Sequence, residues 1–178
     1  MSMNPSIPAA SAHQQPSRAD AVTDLYRHHA IGFIRMAILL VGDQESAEDV
    51  VQEAFCGLYR NWRGLDDPNR VLGYLRVAVL NGSRSVLRAR KRAWLRPVRH
   101  DPPVWSAEAA AMATEERRAL LAALAELPPR QREILALRYY ADMADTEIAA
   151  TLGISRGTVV SAASRALTAL ASQLKEEI

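Results

Sequence analysis

Apolar residues recur along most of the chain at helical spacing, and almost nowhere do they alternate as a half-buried strand requires. Between residues 20 and 41, Leu25, Ile31, Ile34, Ile38 and Val41 approximate one helical face with an overlapping apolar end, and Gly42 and Asp43 supply a stop. From about Glu45 to Trp62, the residues Val51, Phe55, Leu58 and Trp62 fall at i, i+4, i+7 and i+11. That stripe leaves Glu48, Asp49, Gln52 and Glu53 elsewhere on the helix surface. After Gly64 the run LDDPN breaks the pattern, and Pro68 suits the first turn of a third helix reaching Arg88, Arg90, Lys91 and Arg92. A second helical group begins near Thr114 with Leu120, Leu121, Leu124 and Leu127 as its apolar face, and Pro128-Pro129 ends that helix. Further helices are predicted near 129–140, 145–152 and 156–174.

The fold class predicted is therefore all-α: two small helical domains joined by a flexible linker, the C-terminal one containing a helix-turn-helix. Residues 1–19 carry Pro5, Pro8 and Pro16 among Ser, Ala and Gln, and read as a disordered leader without the apolar core of a signal peptide. The domains are expected over 20–92 and 114–178. Between them, 93–113 reads as linker, since Pro97, Pro102 and Pro103 punctuate a stretch that turns Ala-rich.

Composition changes this picture little, but charge distribution changes it much. The chain of 178 residues has 22 Lys and Arg against 20 Asp and Glu, a net charge of +2 that does not by itself suggest a polyanionic partner. Yet Arg70 to Arg99 holds nine basic residues and no acid, while Asp43 to Glu53 holds five acids and no base. Segregation of this kind suits contact with two partners of opposite charge. Cys56 is the single cysteine, so an internal disulfide and a cysteine-rich zinc site are both excluded, and a reducing cytoplasm is the natural expectation. Uncharged apolar runs such as Met36 to Val41 fall far short of the ~20 residues that span a bilayer, so no membrane insertion is expected.

The sharpest local signal is TEIAATLGISRGTVVSAASRAL, residues 146–167. Thr146 can cap a first helix, Gly153 can take the left-handed conformation that ends it, and Ser155 can cap the next. Ala149 is small where the two helices would cross, and Ile148, Leu152, Ile154, Val159 and Ala162 supply buried contacts. This is the pattern of a helix-turn-helix whose second helix enters a major groove, with Ser155, Arg156, Thr158, Ser161 and Arg165 able to reach base edges or phosphates. Residues 128–178 carry six basic and six acidic side chains, so the domain alone is expected to bind DNA weakly.

Two longer segments carry a family resemblance. GDQESAEDVVQEAFCGLYRNW with GYLRVAVLNGSRSVLRARKR resembles region 2 of the extracytoplasmic-function branch of the sigma-70 family. LPPRQREILALRYYADMADTEIAATLGISRGTVVSAASRAL resembles region 4 of the same branch. Together they cover about residues 21–173, in the family's order. The resemblance implies a transcription initiation factor that binds core RNA polymerase and promoter DNA. It assigns Asp49, Gln52 and Glu53 to the clamp helices of the polymerase largest subunit, with a second contact at the flap region. An acidic, amide-bearing ridge agrees with that role, since it offers charge-assisted hydrogen bonds to a basic partner. The turn from Asn61 to Gly73 and the helix after it are implied to engage the minus-ten element. There Trp62 and Tyr74 are candidates to stack on an unstacked base, Asn81 is an amide reader, and Arg76, Arg84, Arg88, Arg90, Lys91 and Arg92 are phosphate partners. The second helix of the helix-turn-helix is implied to read the minus-thirty-five element. The family's GTVKS run stands here as GTVVS, so Val160 replaces a usual basic residue and Arg156 and Arg165 become proportionately more important. Family members are often held inactive by an anti-sigma protein.

Other classes fit less. His13, His28, His29 and His100 form no ligand spacing, and adjacent histidines diverge by about 100° on a helix, so no metal site and no other cofactor is expected. No phosphate loop, nucleophile elbow or HExxH points to an enzyme. A DNA-binding regulator acting as a dimer without polymerase would leave Asp49, Gln52 and Glu53 unexplained. A sigma-like decoy that binds polymerase but opens no promoter is separated only by run-off transcription.

Overall fold

The computed structural model describes residues 17–62, 68–94 and 115–176, and every regular element among them is an α-helix. In chain order these are α1 (Arg18–Val41), α2 (Gln44–Arg60), α3 (Pro68–Trp94), α4 (Glu115–Glu126), α5 (Pro129–Tyr139), α6 (Asp145–Leu152) and α7 (Arg156–Glu176). The stretch expected to be a leader lies outside the described residues up to position 16, and most of the expected linker, 95–114, lies outside them too. Two boundaries are corrected. Ser17 caps α1 through a reciprocal bond pattern with Asp20, so 17–19 belong to the helix start rather than to a leader. Ala93 and Trp94 continue α3 instead of opening the linker.

Helices α1, α2 and α3 pack on one another around Met36, Leu40, Val51, Phe55, Leu58, Leu75 and Val79, all buried. The α1 face differs from the one that periodicity favours. Ile31 is 64% exposed and Ile34 and Ile38 are half-buried, whereas Phe33, Met36 and Ala37 carry the contact. Phe33 and Tyr26 both meet the edge or face of Phe55 across the α1–α2 crossing, at centroid distances of 6.3 and 5.0 Å. Two glycines of α2 and α3 let those helices approach. A Cβ on Gly57 would stand 2.9 Å from the Tyr74 hydroxyl, and one on Gly82 would stand 3.0 Å from a methyl of Val50.

Helices α4, α5 and α6 pack on α7. Here the expected α4 face holds for Leu124 and Leu127, which are buried, but Leu120 is exposed. Four consecutive residues of α5, Ile134 to Leu137, are buried, which one apolar stripe cannot produce. The reason is that α5 also lies against α1, so it is covered on both sides. The two helical groups thus dock on each other, an association that the reading of two units on a flexible linker did not anticipate.

Candidate functional site: an acidic helix, a basic helix and a helix-turn-helix

Asp43 begins α2. Its carboxylate accepts the Ser46 N–H at 2.8 Å, the N-cap bond that satisfies an otherwise free helical donor. Beyond it the α2 surface presents Glu48, Asp49, Gln52 and Glu53, all exposed, with the buried stripe turned to α1 and α3. Asp49 and Gln52 make no hydrogen bond among the described residues, whereas Glu53 is ion-paired with Arg60 and Glu48 accepts from Gln44 at 2.7 Å. Next to Gln52 an apolar groove of about 630 Å³ runs between α1 and α2, with Val22, Tyr26, Phe55, Cys56 and Tyr59 in its walls. Arg18 stacks over the Tyr59 ring at its edge, 4.1 Å from the centroid. Periodicity gave no sign of this groove, because Tyr26 and Tyr59 lie off the core stripes.

The basic helix divides into cations that face outward and cations that hold the protein together. Arg88, Lys91 and Arg92 are exposed, and among the described residues only Arg88 has a partner, Ser85 Oγ at 2.8 Å. Arg90 instead folds back on the α1–α2 corner. It donates to the Val41 carbonyl at 2.5 Å, to the Ser46 hydroxyl at 2.7 Å and to the Asp43 carboxylate. Burial of Asp43 works to raise its pKa, but the Ser46 N–H and Arg90 together outweigh it and hold the carboxyl below its ordinary value. Arg84 reaches across to α5, where its fork meets Glu133 through Nε at 2.6 Å and Nη2 at 2.9 Å. That pairing raises the Arg84 pKa further above its ordinary value. Glu133 also accepts from Arg130 at 2.9 Å. Asn81 is exposed beside Arg84, Tyr74 is exposed with its hydroxyl over Gly57, and Trp62 is half-buried against the core. Arg76 lines a cavity of about 280 Å³ with His28, His29, Tyr140 and Asp142, between the two helical groups. The segment between Trp62 and Pro68 lies outside the described residues.

The helix-turn-helix is formed by α6 and α7. Gly153 has φ 65°, in the left-handed region, and the N–H of Ile154 returns to the Ala149 carbonyl at 3.0 Å. Ile148, Ala149 and Leu152 are buried against Val159, Ala162, Ala163 and Ala166 of α7. Ser155 caps α7 by accepting the Thr158 N–H at 3.1 Å. Thr146 does not cap α6. The cap is Ala144, whose N–H is taken by the Glu147 carboxylate at 2.8 Å, because the turn runs as far as Ala144 before α6 starts at Asp145. On α7, Arg156 and Arg165 are exposed and make no hydrogen bond or ion pair among the described residues, while Ser155, Thr158 and Ser161 bond to one another locally.

Comparison with known proteins agrees with this organisation. Residues 25–93 match the family model for sigma-70 region 2, and residues 117–170 match the model for sigma-70 region 4. The chain is 34% identical over 142 residues to an RNA polymerase sigma-E factor of Streptomyces avermitilis, covering 80% of this chain and 78% of that protein. It is 32% identical over 158 residues to the ECF RNA polymerase sigma factor SigL of Mycobacterium tuberculosis, covering 85% and 88%. Among solved structures, the fold is shared with the sigma factor RpoE of Bartonella quintana, solved with the anti-sigma factor NepR, at TM-score 0.66 and 22% identity over 86% of this chain and 98% of that one. It is shared also with CnrH, solved with the cytosolic domain of CnrY, at TM-score 0.62 and 24% identity over 89% and 90%. The order of the two matched regions, the exposed acidic helix, the basic helix behind it and the helix-turn-helix all agree, and the chain belongs to the sigma-70 family of RNA polymerase sigma factors, in its extracytoplasmic-function branch.

Proposed function

We propose a division of labour within this sigma factor. The α1–α3 unit, within 20–92, binds core RNA polymerase and opens the minus-ten region, and the α4–α7 unit, within 114–178, reads the minus-thirty-five duplex. Asp49, Gln52 and Glu53 dock on the clamp helices of the largest polymerase subunit, and the C-terminal unit meets the flap region. Arg88, Lys91 and Arg92 grip phosphates of the opened strand, Asn81 reads a base, and Tyr74 is better placed than the half-buried Trp62 to stack on one. Arg156 and Arg165 contact the duplex, with Ser155, Thr158 and Ser161 setting the start of the helix that carries them. The chain works in the cytoplasm, where polymerase is, and an anti-sigma protein is its natural inhibitor, a reading supported by the neighbour solved in complex with an anti-sigma factor. The bond-making chemistry belongs to polymerase, since flipping a base out costs a few kcal/mol that a pocket and phosphate contacts can offset.

The observation that carries this reading is the exposed Asp49–Gln52 ridge, presented by a helix whose apolar stripe is fully used inside its own unit. Substituting both residues by Ala is expected to weaken association with core polymerase in gel filtration by at least tenfold and leave the melting temperature unchanged. Unchanged core affinity would sink the assignment. Run-off transcription from genomic templates with the purified chain and core polymerase then separates an initiator from a decoy, since only an initiator yields defined start sites.

A further inference from the structure

We infer that Val160 sets base preference at the minus-thirty-five element by packing its methyl groups against the 5-methyl of a thymine in the major groove. The inference rests on the reading of α7 as the helix that enters that groove. Val160 is 47% exposed, one turn after Arg156 and on the same flank of α7, about 100° round the helix from the buried Val159. It stands in the first turns, the part of such a helix that meets base edges.

Its neighbours leave the contact to it. The hydroxyls of Ser155 and Thr158 lie 2.9 Å apart and bond each other, and Ser161 donates to the Thr158 carbonyl at 3.2 Å. Gly157 has only Ser155 Oγ, at 3.8 Å, near the place where a Cβ would stand, so bare backbone lies beside Val160. At the groove-facing start of α7 Val160 is therefore the one exposed side chain that is wholly apolar, the other methyl there belonging to Thr158, whose hydroxyl is bonded to Ser155. Of the base edges in the major groove, only thymine offers an apolar partner. A β-branched side chain on a helix is held in nearly one rotamer, so its methyls are fixed before binding. Leu167 is also exposed, at 43%, but sits two turns further from the end that enters the groove.

The test uses the full chain with core polymerase and a promoter fragment recovered by start-site mapping. Each thymine of its minus-thirty-five element, on both strands, is replaced singly by deoxyuridine, which removes the methyl and keeps the pairing. One replacement is expected to reduce promoter affinity about three- to fivefold, the worth of one buried methyl. Val160→Ala should lose the same factor on the unmodified fragment and nothing further on the deoxyuridine one, with an unchanged melting temperature because the residue is exposed. The inference is overturned if no thymine responds, or if the response persists undiminished in Val160→Ala. Scrambling the whole element distinguishes the two levels: a large loss with no uridine effect removes Val160 alone, whereas no loss removes the reading of α7 as well.

Discussion

Helices α3 and α7, the two to which DNA contacts are assigned in the proposed division of labour, are built on opposite principles. Between Arg70 and Arg92, α3 carries seven cations and no acid, while α7 has two arginines between Arg156 and Leu174. The count overstates the contrast. Arg84 and Arg90 are held by Glu133 and Asp43 of the protein itself, whereas neither arginine of α7 has a partner among the described residues. What decides a helix's pull on phosphate is the charge left over after folding.

The sharpest way to break that comparison is at Arg90. Its side chain and that of Asp43 are 27% and 14% exposed, so removing one leaves the other half-buried and unpaired. Arg90→Leu is expected to cost about 2–3 kcal/mol of stability, read as a lower urea midpoint. Arg90→Lys keeps the charge but not the fork that serves three acceptors, and should destabilise almost as much. If Arg90 were instead a plain phosphate contact, the lysine variant would be as stable as the parent. Acid sharpens the point. Because Asp43 titrates below its unfolded value, its contribution is present above that value and lost as pH falls through the lower, folded one. In Arg90→Leu, burial of Asp43 meets less opposition, its folded value moves up towards the unfolded one, and the part of the stability that acid removes becomes smaller. Urea titrations between pH 3 and about 6 would follow it.

A smaller effect is expected at Glu133, the acid that engages Arg84 across the two helical groups, with side chains 12% and 29% exposed. Their contact is more polar than either core. Ser83 Oγ and Arg132 Nε, both buried, have no hydrogen-bond partner among the described residues, and burial pushes the Arg132 guanidinium below its ordinary pKa. Glu133→Gln is expected to weaken the docking by about 1–2 kcal/mol, seen as a larger radius of gyration in X-ray scattering. It should also free Arg84 and raise affinity for single-stranded DNA. In a double-mutant cycle, Arg84→Gln should abolish the effect of Glu133→Gln; independent effects would show that the pair does not hold the groups together.

The elements most legible in the sequence are those fixed by neighbours along the chain. Gly153 and Ser155 ended and began helices as their chemistry required, and the α2 stripe of Val51, Phe55 and Leu58 was buried as spaced. Positions whose partners are remote were not legible. Arg90 meets Asp43 at a separation of 47 residues and Arg84 meets Glu133 at 49, and nothing local marks an arginine as already engaged. Ile31 illustrates the same limit in apolar form. Periodicity placed isoleucines on one face, but the choice between that face and the one through Phe33 and Met36 depended on where α2 and α3 lay. The fold class followed from local pattern, while the working charge of the site followed from packing.

The mildest variants test the comparison most directly, because they leave the fold alone. Lys91 and Arg92 are exposed and make no ion pair among the described residues, so replacing both by Gln should leave the melting temperature where it is. If both neutralise phosphates of the opened strand, the slope of log affinity against log salt should fall by about 1.4, at roughly 0.7 per single-strand contact. Arg156→Gln on α7 should remove about 0.9, the value for one contact to duplex. Adding Arg90→Lys to the first pair should change stability without changing the slope. Charge count predicts that α3 loses influence evenly as each cation is removed; packing predicts that the loss is confined to cations the protein leaves free. Salt titrations of promoter affinity with these variants, each beside its melting curve, decide between the two.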